Sequence, residues 1–126
     1  MKVSHLDHLV LTVNNLQASI DFYCGILGME LVEFAQGRKA LKFGSQKINL
    51  HLYKHEYAPH ADYPTPGSAD LCFIIEDKIT RIHKQLAEHH IEIVEGPVNR
   101  TGANGHLISI YIRDPDNNLI ELSNSL

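Results

Sequence analysis

The sequence predicts an α+β fold made of two successive βαβββ modules. Apolar residues alternate with a period of two in eight short segments and recur at helical spacing in two others. The order of these segments repeats once along the chain, which is the second observation behind the prediction. The chain has 126 residues, of which 44% are hydrophobic and 21% charged. This size and composition suit one globular domain over residues 1–126.

The first module covers about residues 4–53. A strand pattern over residues 5–13 is followed by Asn14 and Asn15, which favour a helix N-cap. Gly28 stands where a helix C-cap is expected. The residues that share one face of the predicted helix are Leu16, Ile20, Tyr23 and Leu27. Further strands are predicted over residues 29–34, 39–43 and 47–53.

The second module covers about residues 69–124 and follows a loop, residues 54–68, rich in Pro, His and Tyr. A strand is predicted over residues 70–75, and Ile79, Ile82 and Leu86 mark a helix. The remaining strands are predicted over residues 91–94, 107–112 and 119–123. Residues 99–105 are rich in Gly and Asn and are predicted to form a loop, and residues 114–117 a turn.

The two modules align as an internal repeat. An offset of 62 residues places His8 on Asp70 and residues 29–33 on residues 91–95. Near the module ends, residues 50–52 match residues 120–122 at an offset of 70, as expected if the second module has a longer loop. This alignment pairs His51, rather than Asn49, with Glu121.

Polar residues interrupt the apolar alternation of four predicted strands. Because side chains alternate across a strand, these residues lie on the face opposite the apolar one that packs on the helices. Imidazole and carboxylate donors suit Zn, Ni, Mn or Fe, and the absence of thiolates argues against a structural zinc site. The predicted metal ligands are His8, His51, Asp70 and Glu121.

Composition excludes several classes of function. The formal net charge is −4 and the basic residues are scattered, which argues against nucleic-acid binding. No apolar run is long enough to span a membrane, and the N-terminus lacks a signal-peptide core, so we expect a cytoplasmic protein. Cys24 and Cys72 do not form a CxxC pair and are expected to be buried thiols rather than a disulfide or a redox pair.

The two ends of the chain resemble the vicinal oxygen chelate superfamily, the glyoxalase/bleomycin resistance/dioxygenase group. The opening motif comprises residues 7–13, 22–23 and 26–29, and the closing motif residues 113–122. The middle segments, residues 43–51, 66–68 and 100–103, are most similar to glyoxalase-domain-containing proteins of ill-defined activity. The resemblance implies a curved mixed sheet that forms a cup, with the helices on its outer face.

The resemblance also implies a metal-dependent lyase or isomerase that chelates vicinal oxygens of a small-molecule substrate. His8 and Glu121 match the usual ligand types, whereas His51 stands where Glu is typical and Asp70 where His is usual. Glu121 is the candidate ligand and base, and Asp70 is either a ligand or an alternative base. The resemblance further implies a homodimer, with the site in one chain or between two.

Two other functions remain open: an Fe(II) extradiol-dioxygenase-like enzyme, and a non-enzymatic ligand-sequestering protein of the bleomycin-resistance kind. Tyr53, Arg113 and the loop residue Arg100 are candidates for positioning substrate. Tyr111 is interpreted as a packed aromatic residue.

Overall fold

The computed structural model describes all residues, 1–126. The chain divides into two compact units, Met1–Pro66 (unit 1) and Gly67–Leu126 (unit 2). Each unit has one helix and a four-stranded mixed sheet in the order βαβββ. The predicted α+β fold with two βαβββ modules is confirmed.

Unit 1 contains β1 (His8–Val13), α1 (Leu16–Gly25), β2 (Glu30–Phe34), β3 (Arg38–Phe43) and β4 (Gln46–Leu52). The strand order in the sheet is β1-β4-β3-β2. β1 and β4 are parallel, and the other two pairs are antiparallel. β1 and β2 are therefore the edge strands of this sheet.

Helix α1 begins at the predicted cap, where the Asn15 side chain accepts a hydrogen bond from the Ala18 N–H at 2.9 Å. The helix buries Ile20, Phe22 and Tyr23 and contacts β2, β3 and β4. Gly28 has φ of +72°, a left-handed conformation that favours glycine after a helix end.

Unit 2 contains β5 (Asp70–Ile74), α2 (Ile79–Glu88), β6 (Glu95–Gly102), β7 (Gly105–Arg113) and β8 (Leu119–Ser125). The strand order is β5-β8-β7-β6, with β5 parallel to β8. The three residues predicted to mark α2, Ile79, Ile82 and Leu86, are the ones that the helix buries. Neither α1 nor α2 has the length and apolar character that a membrane crossing requires.

The first turn of α2 is capped by a strand of its own sheet. Lys78 occupies the N-cap position but its side chain makes no capping bond. Instead, Asn124 of β8 accepts a hydrogen bond from the Ile79 N–H at 2.7 Å. The same side chain donates to the carbonyls of Ile75 and Asp77, so it ties both ends of the β5–α2 connection to β8.

Two predictions for the second module are wrong. Residues 91–94 form no strand, and the segment predicted as a loop over residues 99–105 instead lies largely in β6. β6 and β7 form a hairpin with Ala103 and Asn104 at its tip. Pairing with β7 stabilises β6 although its sequence lacks a regular apolar pattern, because sheet pairing depends on neighbours more than on intrinsic preference.

The turn before β8 forms as predicted over residues 114–117. Asn117 adopts φ of +67°, and the Asp114 carboxylate accepts hydrogen bonds from the backbone N–H groups of Asp116 and Asn118. The fully buried Asn118 donates to Asp114 and accepts from the Ala69 N–H at 2.8 Å. This side chain therefore fixes the turn against the start of β5.

Candidate functional site

In unit 1, the strand register places His8 and His51 on the same face of the sheet. β1 and β4 pair with His8 opposite Lys47 and Thr12 opposite His51, and partners in register point to the same side. The apolar residues between them, such as Leu11 and Leu50, lie on the other face, which α1 covers. His8 and His51 are four residues apart along the strands, about 13 Å, so the sheet does not bring the two rings together.

In unit 2, Asp70 and Glu121 also share one sheet face. Asp70 pairs with Leu119, and Glu121 pairs with Cys72, two residues further along β5. The offset between the two carboxyl-bearing residues is about 7 Å along the strands. Glu121 is half-buried, whereas Asp70 is exposed.

The strand registers correct the predicted repeat alignment. His8 and Asp70 are the first residues of β1 and β5. Two residues further along, Val10 of β1 pairs with Asn49 of β4, and Cys72 of β5 pairs with Glu121 of β8. The repeat counterpart of Glu121 is therefore Asn49 and not His51, which aligns instead with Ser123. Asn49 is 6% exposed, and its side-chain oxygen has no hydrogen-bond partner.

Glu121 accepts a hydrogen bond from the Ser109 hydroxyl, and the Ser123 hydroxyl supports that bond. Ser109 donates to Glu121 Oε2 at 2.7 Å, and the Ser123 hydroxyl lies 2.7 Å from Ser109 and 3.4 Å from the same Oε2. Because a hydroxyl has one proton, Ser109 can donate to Glu121 only if Ser123 donates to Ser109. Both serines are fully buried.

Cys72 continues this hydrogen-bonded chain at its other end. The residue is exposed, not buried as predicted, but its thiol lies 3.4 Å from the Ser123 hydroxyl, and partial desolvation of the thiol raises the pKa of Cys72. A protonated thiol can donate to Ser123. All the hydrogen bonds in this series then donate in the same direction, from Cys72 to Ser123, from Ser123 to Ser109, and from Ser109 to Glu121. The sequence did not single out either serine, and the only available signal was that Ser123 lies two residues after Glu121 and therefore on the same face of the strand.

Tyr111 lies directly across from Glu121 on the neighbouring strand. Its hydroxyl accepts a hydrogen bond from Arg100 Nε at 2.9 Å, and Arg100 also pairs with Glu95 at 3.2 Å. Burial raises the pKa of Tyr111, and the Glu121 carboxylate adds to that rise while Arg100 opposes it. Tyr111 is therefore part of the polar face, and Arg100 belongs to β6 rather than to a loop.

A cavity of about 300 Å³ opens beside Glu121 within unit 2. It is lined by Cys72, Ile74, Leu107, Glu121, Ser125 and the hairpin tip, residues 101–104. Gly102 packs closely there, since a Cβ on it would meet Leu107 Cδ1 at 2.8 Å. The cavity has room for a small molecule or part of one, and Glu121 is the acidic group on its wall.

His8 has the supporting contact that a metal-bound imidazole usually has. The Asp7 carboxylate lies 2.8 Å from His8 Nδ1. A carboxylate at one ring nitrogen fixes the tautomer and leaves the other nitrogen, Nε2, to bind a metal. The contact with His8 lowers the pKa of Asp7, which keeps the carboxylate ionised.

His51 lies in a different environment. The side chain is 2% exposed, and Arg38 Nη2 lies 3.4 Å from its Nε2. Burial, and next the Arg38 charge, lower the pKa of His51, so the imidazole is neutral. A neutral ring can ligate a metal, but a divalent cation at Nε2 would have to displace a guanidinium.

The four predicted ligands thus fit a metal ion unequally. His8 and Glu121 have donor atoms that are oriented by neighbours and remain available, Asp70 is exposed, and His51 faces a positive charge. No group of three or more His, Cys, Asp or Glu side chains lies close enough together to hold a metal ion in this structure.

Comparison with known proteins identifies the family. The profile of the glyoxalase/bleomycin resistance protein/dioxygenase superfamily matches residues 5–122. The chain belongs to this superfamily.

Relatives include the glyoxalase domain-containing protein RDO1 of Mycosarcoma maydis, 60% identical over 98% of this chain and 69% of that protein. The virulence protein STM3117 of Salmonella typhimurium is 55% identical over 98% of this chain and 85% of that protein. Its crystal structure superposes with a TM-score of 0.98, at 54% identity over 100% of both chains. The lactoylglutathione lyase of Agrobacterium tumefaciens superposes with a TM-score of 0.74, at 25% identity over 98% of this chain and 96% of that one.

Proposed function

We propose that the chain is a metal-dependent, glyoxalase-like lyase or isomerase that acts on a small molecule with two neighbouring oxygen atoms. The observation that carries the proposal is the setting of Glu121, an oriented carboxylate on the wall of a cavity of about 300 Å³. Superfamily membership and the similarity to a lactoylglutathione lyase support the same reaction class.

His8 and Glu121 are the proposed principal metal ligands. His8 offers Nε2 because Asp7 occupies Nδ1, and Glu121 offers Oε1 because Ser109 donates to Oε2. Asp70 and His51 complete the proposed set, although His51 would have to exchange its Arg38 contact for the metal. A bound Zn, Ni, Mn or Fe ion would act as a Lewis acid towards the two substrate oxygens.

Glu121 is also the proposed base. Because Ser109 donates to Oε2, Oε1 is the oxygen that would take a proton from substrate, and it can do so only while it is not bound to the metal. Asp70, on the same sheet face, is the alternative base if it does not bind the metal. Tyr111 is placed to orient substrate beside Glu121, since it is the direct cross-strand neighbour.

We further propose that the protein is a cytoplasmic homodimer. The two free thiols suit a reducing compartment. β1 and β5 are edge strands that expose the apolar residues Val10 and Ile74, and open edges favour pairing with another chain. Light scattering of the purified protein measures the mass directly, and a monomer at micromolar concentration would contradict the dimer.

Metal analysis tests the proposed function. We expect a divalent metal to co-purify, and calorimetric titration with Zn, Ni, Mn and Fe(II) to show one stoichiometric site. His8→Gln and Glu121→Gln should each weaken binding by more than about tenfold, because even outer-sphere changes cost 10–100-fold. His83→Gln, on the exposed side of α2, is the matched control.

Three results separate the proposed lyase from its alternatives. If no metal binds at micromolar concentration, or both variants retain stoichiometric metal, the proposed site is wrong and the ligand-sequestering function remains. If metal binds, incubation with methylglyoxal and glutathione tests the lyase activity. Absence of lactoylglutathione as a product would exclude the adduct of these two compounds as the substrate. Oxygen consumption with catechols by the Fe(II) form would instead favour the dioxygenase-like activity.

A further inference from the structure

Unit 1 carries a cluster of positive charges and aromatic rings, here called the Arg38 cluster. Its members are Phe34, Arg38, Lys47, His51 and Tyr57. Arg38 Cζ lies 4.4 Å from the Tyr57 ring centroid and 5.2 Å from that of Phe34. Lys47 Nζ lies 4.0 Å from the Phe34 centroid, so the rings hold both cations in place.

Neither cation forms an ion pair with an acidic side chain. The three ion pairs of the chain join His8 to Asp7, Lys39 to Glu33 and Arg100 to Glu95, and none includes Arg38 or Lys47. Glu56 influences His51, but its carboxylate accepts a hydrogen bond from the Lys54 N–H at 2.9 Å. Asp7 interacts with the Lys47 charge only at longer range, so the cluster keeps two half-buried positive side chains that no carboxylate contacts.

Arg100 provides an internal contrast. It also lies over an aromatic ring, 5.3 Å from the centroid of Tyr111, but its guanidinium bonds to Glu95, Tyr111 and a backbone carbonyl. Arg38 makes one long hydrogen bond, 3.4 Å to His51 Nε2. A guanidinium has five N–H donors, so most of those on Arg38 are free for a ligand.

The strand register explains why these residues meet. Phe34 and Arg38 are direct cross-strand partners at the β2–β3 turn. Lys47 and His51 lie on the same face of the sheet, two strand positions on either side of Asn49. On this face, His51 Nδ1 and the Asn49 side-chain oxygen are buried without a hydrogen-bond partner, which is uncommon in native structures.

We propose that the Arg38 cluster is a binding site for the oxyanion group, carboxylate or phosphate, of a small molecule. Arg38 presents a planar fork that matches two oxygens of such a group, and Lys47 adds a second point charge. Phe34 and Tyr57 fix the fork in advance, which lowers the entropy lost on binding. The site needs no metal ion.

The test is an NMR titration of ¹⁵N-labelled, EDTA-treated protein with inorganic phosphate and, separately, acetate, with ionic strength held constant by NaCl. We expect saturable shifts at the Arg38 side-chain N–H and at the Lys47 and His51 amides. The ion that binds more tightly identifies the group as phosphate or carboxylate. The proposal would be overturned if, for both ions, the chemical shifts changed linearly with ion concentration and by the same amount as with chloride.

Variants make the result specific. Arg38→Gln and Lys47→Gln should each weaken binding about tenfold or more, as expected for a charged hydrogen-bonding group. Arg38→Lys keeps the charge but loses the fork and should give an intermediate affinity. Arg81→Gln, which removes a guanidinium exposed on α2, should bind like the wild type. Equal affinity in Arg38→Gln would overturn the proposal, and because metal is absent, this failure is distinct from failure of the proposed metal site.

Discussion

Unit 1 and unit 2 share one backbone plan, but the sheet faces turned away from their helices differ in chemistry. In unit 1 that face carries Arg38 and His51 among aromatic rings. In unit 2 the positions aligned with these two by strand register are Ser109 and Ser123, which hydrogen bond to each other and to Glu121. The helix-facing sides are apolar in both units. The need to bury the helix-facing side therefore keeps that side apolar in both units. The opposite sheet face carries different side chains in each unit.

The largest effects are expected on the shared, apolar side. Ile48 in β4 and Ile120 in β8 occupy aligned positions, and both are 0% exposed. Ile48→Ala and Ile120→Ala should each lower the free energy of unfolding by about 2–5 kcal/mol, through lost burial and the cavity left behind. Urea unfolding followed by circular dichroism measures both.

Leu31→Ala in unit 1 and Val94→Ala in unit 2 are the controls, because these apolar residues are 42% and 48% exposed. They should change stability by less than about 0.5 kcal/mol. A core variant of either unit that behaves like its control would contradict the idea that the helix-facing sides are equivalent.

Intermediate effects are expected where a side-chain amide, located in or directly before the fourth strand of each unit, bonds to the segment that precedes the first strand. Asn118 bonds to the Ala69 N–H and to Asp114 while fully buried, whereas Gln46 donates to the Leu6 carbonyl at 2.8 Å near the surface. Asn118→Ala should cost about 1–3 kcal/mol because buried groups lose their partners. Gln46→Ala should cost less than about 1 kcal/mol, because water replaces it. The same urea measurement applies, and equal losses would contradict this difference between the units.

The smallest effect concerns pH. The pKa of His51 is lowered in the folded chain by burial and then by Arg38, while an unfolded histidine titrates near ~6.5. As the pH falls below that value, the unfolded chain takes up a proton that folded His51 resists, so stability falls. The loss of stability due to His51 is absent above the unfolded pKa. It grows as the pH falls, until the pH reaches the pKa of His51 in the folded chain.

The measurement compares unfolding free energies at pH 7.5 and about 5.5 in EDTA for the wild type, His51→Gln and His83→Gln. The loss at acidic pH should be smaller in His51→Gln and unchanged in His83→Gln, whose ring is exposed on α2. Identical losses in all three proteins would show that His51 titrates as it does in the unfolded chain.

Most of the fold could be predicted from the sequence because apolar residues record which side of each strand is buried. Leu9, Leu11 and Val13 fix β1, and Ile79, Ile82 and Leu86 fix α2. β6 could not be predicted in this way, since it owes its pairing to β7 and not to its own pattern. Residues 91–94 are apolar enough to predict a strand, but no neighbouring strand pairs with them as part of a ladder.

The candidate site was predicted only in part for a related reason. Alternation assigns a residue to a face, and Asn49 and His51 are two residues apart on the same face, so alternation cannot choose between them. Only the register of β4 against β1 does so. The separation of paired residues is 39 between β1 and β4, from His8 to Lys47, and 49 between β5 and β8, from Asp70 to Leu119. The position of those ten extra residues cannot be deduced from the sequence.

The tip of the β6–β7 hairpin has a consequence for how such a domain changes over time. Ala103 and Asn104 line the cavity beside Glu121 but are exposed and contribute nothing to the core. Insertions or exchanges there would reshape the entrance while the strand register and the serines that orient Glu121 stayed in place. A single scaffold could in this way acquire new small-molecule preferences through its most tolerant turn, before any residue of the reactive face is altered.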